Sequence, residues 1–192
     1  MNKHTIFIPG AAGYVGAMLC DQFSKREDVD LIIGLDKENK PKLLDGNEKV
    51  FWINANTSDG TWQKIVSEKN PDIVINTAWQ IREMYGKKKK QWKWNVEGSE
   101  AVFDFAFNTP SVKKLIYFST VSSYGAFKDN SLEHYFKEEE PFREGEYLYG
   151  VEKKVVELHL KEKFEAAKKA GGHAPQVFIV RPAAITGPRG RA

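Results

Sequence analysis

Ile6-Phe7-Ile8-Pro9-Gly10-Ala11-Ala12-Gly13-Tyr14-Val15-Gly16 is the stretch whose reading decides the fold of this chain. An unbroken apolar run, a glycine-rich turn and the start of an amphipathic pattern predict a buried strand that feeds a tight turn into a helix. Gly10, Gly13 and Gly16 follow a Gly-x-x-Gly-x-x-Gly spacing. Without side chains at those points the backbone can turn sharply, come close to a ligand and let the helix pack on the strand. The helix N-terminus, with its unpaired amides and positive dipole end, then faces whatever lies across the turn, and a pyrophosphate is the natural ligand.

The next apolar run, Val29 to Leu35, reads as a second buried strand and ends at Asp36, twenty residues after Gly16. A carboxylate there can accept hydrogen bonds from both hydroxyls of an adenine ribose, and its charge repels a 2′-phosphate. The cofactor expected is therefore NAD in preference to NADP. Lys37 and Lys40 lie close by in sequence and temper that preference, because a basic neighbour tolerates the phosphate.

Further along, strands are expected at Val50 to Ile53, Asp72 to Ala78, Lys114 to Phe118 and Gln176 to Val180. Helical spacing separates them: Trp62, Ile65 and Val66 up to Asn70-Pro71, a long helix between Lys88 and Phe107, and another from Tyr147 to about Ala170. Strands that are apolar throughout and alternate with helices predict a parallel sheet covered on both faces. Right-handed crossovers make this a doubly wound α/β arrangement, a Rossmann fold of three α/β/α layers in a single domain over 1–192. Ligands of such sheets lie beyond the carboxyl ends of the strands.

Composition agrees with a globular domain: 192 residues, 41% hydrophobic and 12% aromatic. A net charge of +3 among 29% charged residues makes no case for a nucleic-acid or membrane partner. The one concentrated run, Lys87-Lys88-Lys89-Lys90, reads as a solvated edge. Cys20 is the one cysteine and falls on the apolar side of the first helix, so no internal disulfide can form. A buried reduced thiol, with Met1 to His4 running straight into the first strand, leads to the expectation of a cytoplasmic chain without signal peptide. His4, His134, His159 and His173 are scattered without ligand spacing, and no metal is expected.

Chemistry gathers after the fifth strand. Ser119-Thr120-Val121-Ser122-Ser123-Tyr124-Gly125 is a hydroxyl-rich loop at the ligand edge, and Tyr149-Gly150-Val151-Glu152-Lys153 opens the next helix. A separation of four puts Tyr149 and Lys153 on one helix face. A phenol must fall by roughly three pKa units, or about 4 kcal/mol, to carry protons near neutrality. An ammonium ~5 Å away at an effective dielectric near 20 supplies on the order of 3 kcal/mol of that. The same spacing occurs at Tyr85/Lys89 and Tyr124/Lys128, but Tyr85 precedes the fifth strand and Tyr124 lies inside the hydroxyl loop. Tyr149 alone opens a long helix that reaches back over the strand ends toward Thr120.

Taken together, the glycine turn, Asp36, Asn95-Val96-Glu97-Gly98, Ser119-Thr120-x-x-x-Tyr124-Gly125, Tyr149-Gly150-x-x-Lys153 and Arg181-Pro182-x-x-x-x-Gly187-Pro188 resemble the extended short-chain dehydrogenase/reductases. More narrowly they resemble the NAD-dependent epimerase/dehydratase family. The resemblance implies Tyr149 as catalytic acid/base, Lys153 as its partner on the nicotinamide ribose, Thr120 as the hydroxyl that orients the substrate oxygen, and Asn95 beside that ribose and lysine. It further implies cofactor contacts from Gly10, Ala12, Gly13, Tyr14, Val15, Gly16 and Asp36, from Asn56 and Thr57 near the adenine, and from Thr77, Ala78 and Trp79. Ser119, Pro182 and Ala183 would lie at the nicotinamide end. The implied substrate is a small molecule, a nucleotide sugar or related metabolite, oxidised, epimerised or dehydrated at a hydroxyl or keto carbon.

The chain departs from the family pattern at three places. Pro9 removes an amide before Gly10, which a strand end tolerates. Trp79 and Gln80 stand where the family continues with small residues, so this loop is expected to narrow the substrate pocket. The sequence also stops at Ala192, short of the C-terminal substrate domain that the resemblance leads one to expect. The alternative to an enzyme is therefore a dinucleotide-binding regulatory or interaction module without turnover, or an inactive fragment. Aromatic residues on more than one face of the Trp92 to Phe107 helix lead to the expectation of a homodimer through its second face.

Overall fold

A computed structural model describes residues 3–187. Its strands are β1 (His4–Pro9), β2 (Val29–Asp36), β3 (Val50–Asn54), β4 (Ile73–Asn76), β5 (Lys114–Phe118) and β6 (Gln176–Val180). They form one six-stranded parallel sheet in the order β3-β2-β1-β4-β5-β6. The chain leaves β1 outward to β2 and β3 on one side, then returns to place β4, β5 and β6 on the other. Between β1 and β4 the order reverses, and the loops after these two strands part to leave a crevice. Because all strands run the same way, the turn after Pro9, Asp36, the loop after Asn76 and the loop after Phe118 share one edge.

The central strand shows why the apolar runs become strands. Phe7 points to one face of the sheet, where it meets Trp62 and Phe105 with ring centroids 5.2 and 5.8 Å away. Ile6 and Ile8 point to the other, against Cys20 of α1 (Tyr14–Ser24). The two-residue period of a strand thus divides a continuous apolar run between two cores. The first face is covered by α2 (Gln63–Ser67), α4 (Gly98–Asn108) and α5 (Leu148–Ala170). On the second face α1 covers the β1 and β2 side, whereas Phe178 and Val180 of β6 remain 48% and 39% exposed.

The expected helix between Lys88 and Phe107 is continuous in direction but not in hydrogen bonding. It consists of α3 (Lys88–Trp92), a π-helical turn over Lys93–Glu97, and α4. A π turn accommodates one extra residue in the ladder and re-aims the side chains at that point. Val102, Phe103, Phe105, Ala106 and Phe107 are all buried within the chain, whereas Trp94 is half-buried and Trp92 remains 39% exposed. Phe103 packs edge-on against Tyr117 of β5 at 5.3 Å. Most of the residues from which a homodimer was expected are thus buried internally, and Trp92 is the exposed one among them.

Candidate functional site

The glycine turn is held by close approach rather than by capping side chains. Gly10 has φ +82, and a Cβ there would lie 2.5 Å from the Ala78 nitrogen; one on Gly16 would lie 2.2 Å from the Gly10 carbonyl oxygen. The first contact locks β1 to the loop after β4, and the second tucks α1 against its own entry. No side chain caps the N-terminus of α1, where Gly13 takes the N-cap position. The carboxylate of Asp36 accepts from the Ala12 and Glu38 amides, both at 3.0 Å, so the acidic residue closing β2 also fixes the turn after β1. The Thr77 hydroxyl donates to the Pro9 carbonyl at 2.8 Å and joins the two loops from the β4 side.

Between these loops opens a cleft. Gly10, Gly13, Asp36, Asn56, Thr57, Ala78, Trp79 and Asn95, all expected from sequence, line it. Lys37 and Gln80, which the sequence placed near the site without assigning them a cofactor contact, also line it, and so does Trp94, which was missed. Of the two lysines that tempered the preference for NAD, Lys40 turns away to the Val50 carbonyl, and Lys37 pairs with Glu38 at 2.5 Å while its ammonium lies 5.4 Å from the Trp94 ring.

Asn95 is fully buried on the π turn and grips the loop after β4 from both sides. Its Oδ1 accepts from the Gln80 amide at 2.7 Å, and its Nδ2 donates to the Gln80 carbonyl at 3.1 Å and to Glu152 at 2.7 Å. Gln91 adds a second clamp: its Oε1 accepts from the Met84 amide at 2.7 Å while its Nε2 lies 3.4 Å from Glu152. Glu152 is thus a buried carboxylate that anchors the 80–84 loop to α5 one residue before Lys153. One of four glutamates in an amphipathic helix, Glu152 carried no signal of this role.

Tyr149 and Lys153 lie on one face of α5, and Thr120 lies under them at the end of β5. The Thr120 hydroxyl accepts from the Ser122 amide at 3.1 Å and is a polar neighbour of the Tyr149 phenol. Burial pushes that phenol above its ordinary value, the neighbouring Thr120 hydroxyl pulls it back, and Tyr147 adds to the rise. The depression by Lys153 foreseen from the spacing is absent in this arrangement, because the ammonium is engaged elsewhere. It donates to the Phe118 carbonyl at 2.5 Å, and lies 3.8 Å from the Trp79 ring centroid and 4.9 Å from that of Tyr117. Only 3% exposed, Lys153 is brought by burial from 10.5 to about 7. Trp79 also meets Tyr149 edge-on at 6.2 Å.

Several expected residues hold backbone rather than line the cleft. The Ser119 amide donates to Val180 and the Val121 amide to Pro182, which tie the hydroxyl loop to the end of β6. Ala183 is exposed. Tyr14 places its hydroxyl beside Gly187, where a Cβ would come within 2.2 Å of it; Val15 is half-buried in the same first turn of α1. Pro188, the last residue of the Arg181 motif, lies outside the described residues. The two competing Tyr/Lys pairs are set aside by placement: Tyr85 is 86% exposed, and the Tyr124 hydroxyl donates to the Lys137 carbonyl and accepts from Arg181 at 2.6 Å.

The profile described as the NAD dependent epimerase/dehydratase family matches residues 6–192. No curated protein matches the chain. Solved structures do. The Bordetella bronchiseptica enzyme WbmH in complex with NAD+ superposes with a TM-score of 0.82 at 18% identity, over 100% of this chain and 59% of that one. WbmG from the same organism, in complex with NAD, gives 0.79 at 22% identity over 98% and 56%. UDP-glucuronic acid 4-epimerase from Bacillus cereus, in complex with NAD, gives 0.75 at 21% identity over 97% and 58%. The chain therefore spans a little over half the length of these structures.

Proposed function

Because the chain belongs to the NAD dependent epimerase/dehydratase family, we propose that it is the cofactor-binding and catalytic part of an NAD-dependent enzyme acting on a hydroxyl or keto carbon of a nucleotide sugar. The observation that carries the reading is convergence at one sheet edge: the Gly10 to Gly16 turn and Asp36 on one side, Thr120, Tyr149 and Lys153 on the other. The nucleotide-sugar class is taken from the UDP-sugar epimerase among the structural neighbours.

The residues present fit a dinucleotide. A pyrophosphate suits the uncapped first turn of α1, with Ala12, Tyr14, Val15 and Gly16 supplying or bordering the amides. Asp36, whose oxygens each accept one amide, retains lone pairs for two ribose hydroxyls. Asn56 and Thr57 border the adenine, and Thr77, Ala78 and Trp79 form the β4 wall. Lys153 would hold the second ribose, with Asn95 supporting it through the loop and Ser119, Pro182 and Ala183 nearby. When bound, NAD supplies the hydride acceptor and donor. Thr120 then orients the substrate oxygen by hydrogen bonding, and Tyr149 takes or returns that oxygen's proton.

Two measurements test this. Titration of the chain with NADH and NADPH, read by energy transfer from its five tryptophans, is expected to give saturable binding that favours NADH; a folded chain that binds neither refutes the assignment. Tyr149→Phe is expected to keep NADH affinity within about twofold while lowering conversion of nucleotide sugars by about 10² to 10⁴. The enclosure of Lys153 by Trp79 favours a second reading, a binding module without turnover, which predicts binding but no conversion by either form.

A further inference from the structure

We infer that the Trp79 side chain is a gate between the two halves of the cofactor cleft: the adenosine half is preformed, and the far half reaches Lys153 and Tyr149 only when the indole swings aside. The inference rests on the dinucleotide reading above and adds to it a residue that decides how much of the ligand fits. The cleft lining runs from Asp36 and Asn56 through Gly10 and Ala78 to Trp79, and includes none of Thr120, Tyr149 and Lys153. Trp79 stands at that break, its ring 3.8 Å from the Lys153 ammonium and edge-on to Tyr149. With the Phe118 carbonyl and the Tyr117 ring on its other sides, the ammonium has no room for a ribose hydroxyl while the indole is seated.

What can move is also defined. Backbone on both sides of Trp79 is tied down: the Ala78 amide donates to Asn76 Oδ1 at 3.1 Å, and both backbone groups of Gln80 are held by Asn95, itself anchored by Glu152. The loop cannot open as a unit without breaking that network, so the motion falls to the side-chain torsions of Trp79. Its Nε1 is buried without a hydrogen-bond partner, so the seated rotamer leaves a donor unsatisfied that rotation toward solvent would satisfy. In its place the ammonium keeps a cation–π contact, which a ribose hydroxyl would replace with a hydrogen bond.

The test compares ADP, which spans only the adenosine half, with NADH by calorimetry on the parent chain, Trp79→Ala and Trp79→Phe. If Trp79 is a gate, Trp79→Ala binds NADH about tenfold more tightly than the parent while its ADP affinity changes less than twofold, and Trp79→Phe falls between. NADH affinity unchanged or weakened in a variant that retains ADP binding makes the indole a cofactor contact and overturns the gate. Should Trp79→Ala lose ADP as well, Trp79→Phe decides by the same criterion. A parent chain that binds neither ADP nor NADH refutes the dinucleotide reading itself, and the gate with it.

Discussion

Lys153 brings together the electrostatics of the site. Its ammonium is buried under Trp79 and Tyr117, and loss of hydration brings it from 10.5 to about 7. A cation whose folded pKa is depressed costs stability in full below the folded value. That cost is relieved as pH rises through the window up to the unfolded value, at about 1.4 kcal/mol per unit. Urea denaturation of the parent and of Lys153→Met at pH 6, 8 and 10 should therefore show an advantage for the variant that is largest at pH 6 and shrinks toward pH 10. A gap independent of pH would mean that the ammonium is not destabilised by its surroundings. The i,i+4 spacing of Tyr149 and Lys153 was legible in the sequence. The direction of the ammonium was not, because it is set by a carbonyl on β5 and an indole on the loop after β4, both remote in the chain.

Helix α5 shows how one element serves both site and scaffold. Along its buried face Glu152 anchors the loop after β4, Lys153 meets Trp79, and Glu157, fully buried, pairs with Arg181 at 2.5 Å and Lys161 at 2.9 Å. Burial pushes the Glu157 carboxyl up, but bonds from Arg181 and Lys161 outweigh it and hold it below the ordinary value. Such a group adds stability above the unfolded carboxylate pKa that is lost as pH falls through its folded one. Arg181→Met leaves Glu157 with its main partner removed, and should destabilise the chain by about 3 to 5 kcal/mol at pH 7 in urea. At a pH below the folded pKa of Glu157 the difference should narrow; an equal loss at both would assign the effect to packing instead. Arg181 was noticed in the sequence only as part of a motif whose role its spacing did not disclose. Likewise the π turn over Lys93–Glu97 was not foreseen, because Asn95 is held by the Gln80 backbone and Glu152 rather than by neighbours along the helix.

For the molecule as a whole, the sheet edge is where binding and folding are linked. A ligand that binds only the folded chain stabilises it by about 2.7 kcal/mol at a hundred times its Kd, which for a domain near this size raises Tm by about 5 to 10 °C. NADH should give that rise; its absence at saturating ligand would place the binding elsewhere than on the assembled cleft. The order of strands and helices, the parallel sheet and the turn that opens it were all readable from residue order. Apolar runs, glycine spacing and breakers act over a few residues, and the rules of chain connection then leave little choice of topology. What the Trp79 indole covers, which amide Asp36 grips, which carboxylate anchors Asn95 and whether the aromatic residues of α4 face inward were decided on folding alone. Each depends on side chains brought within a few ångströms from distant parts of the chain, and no local pattern encodes that approach.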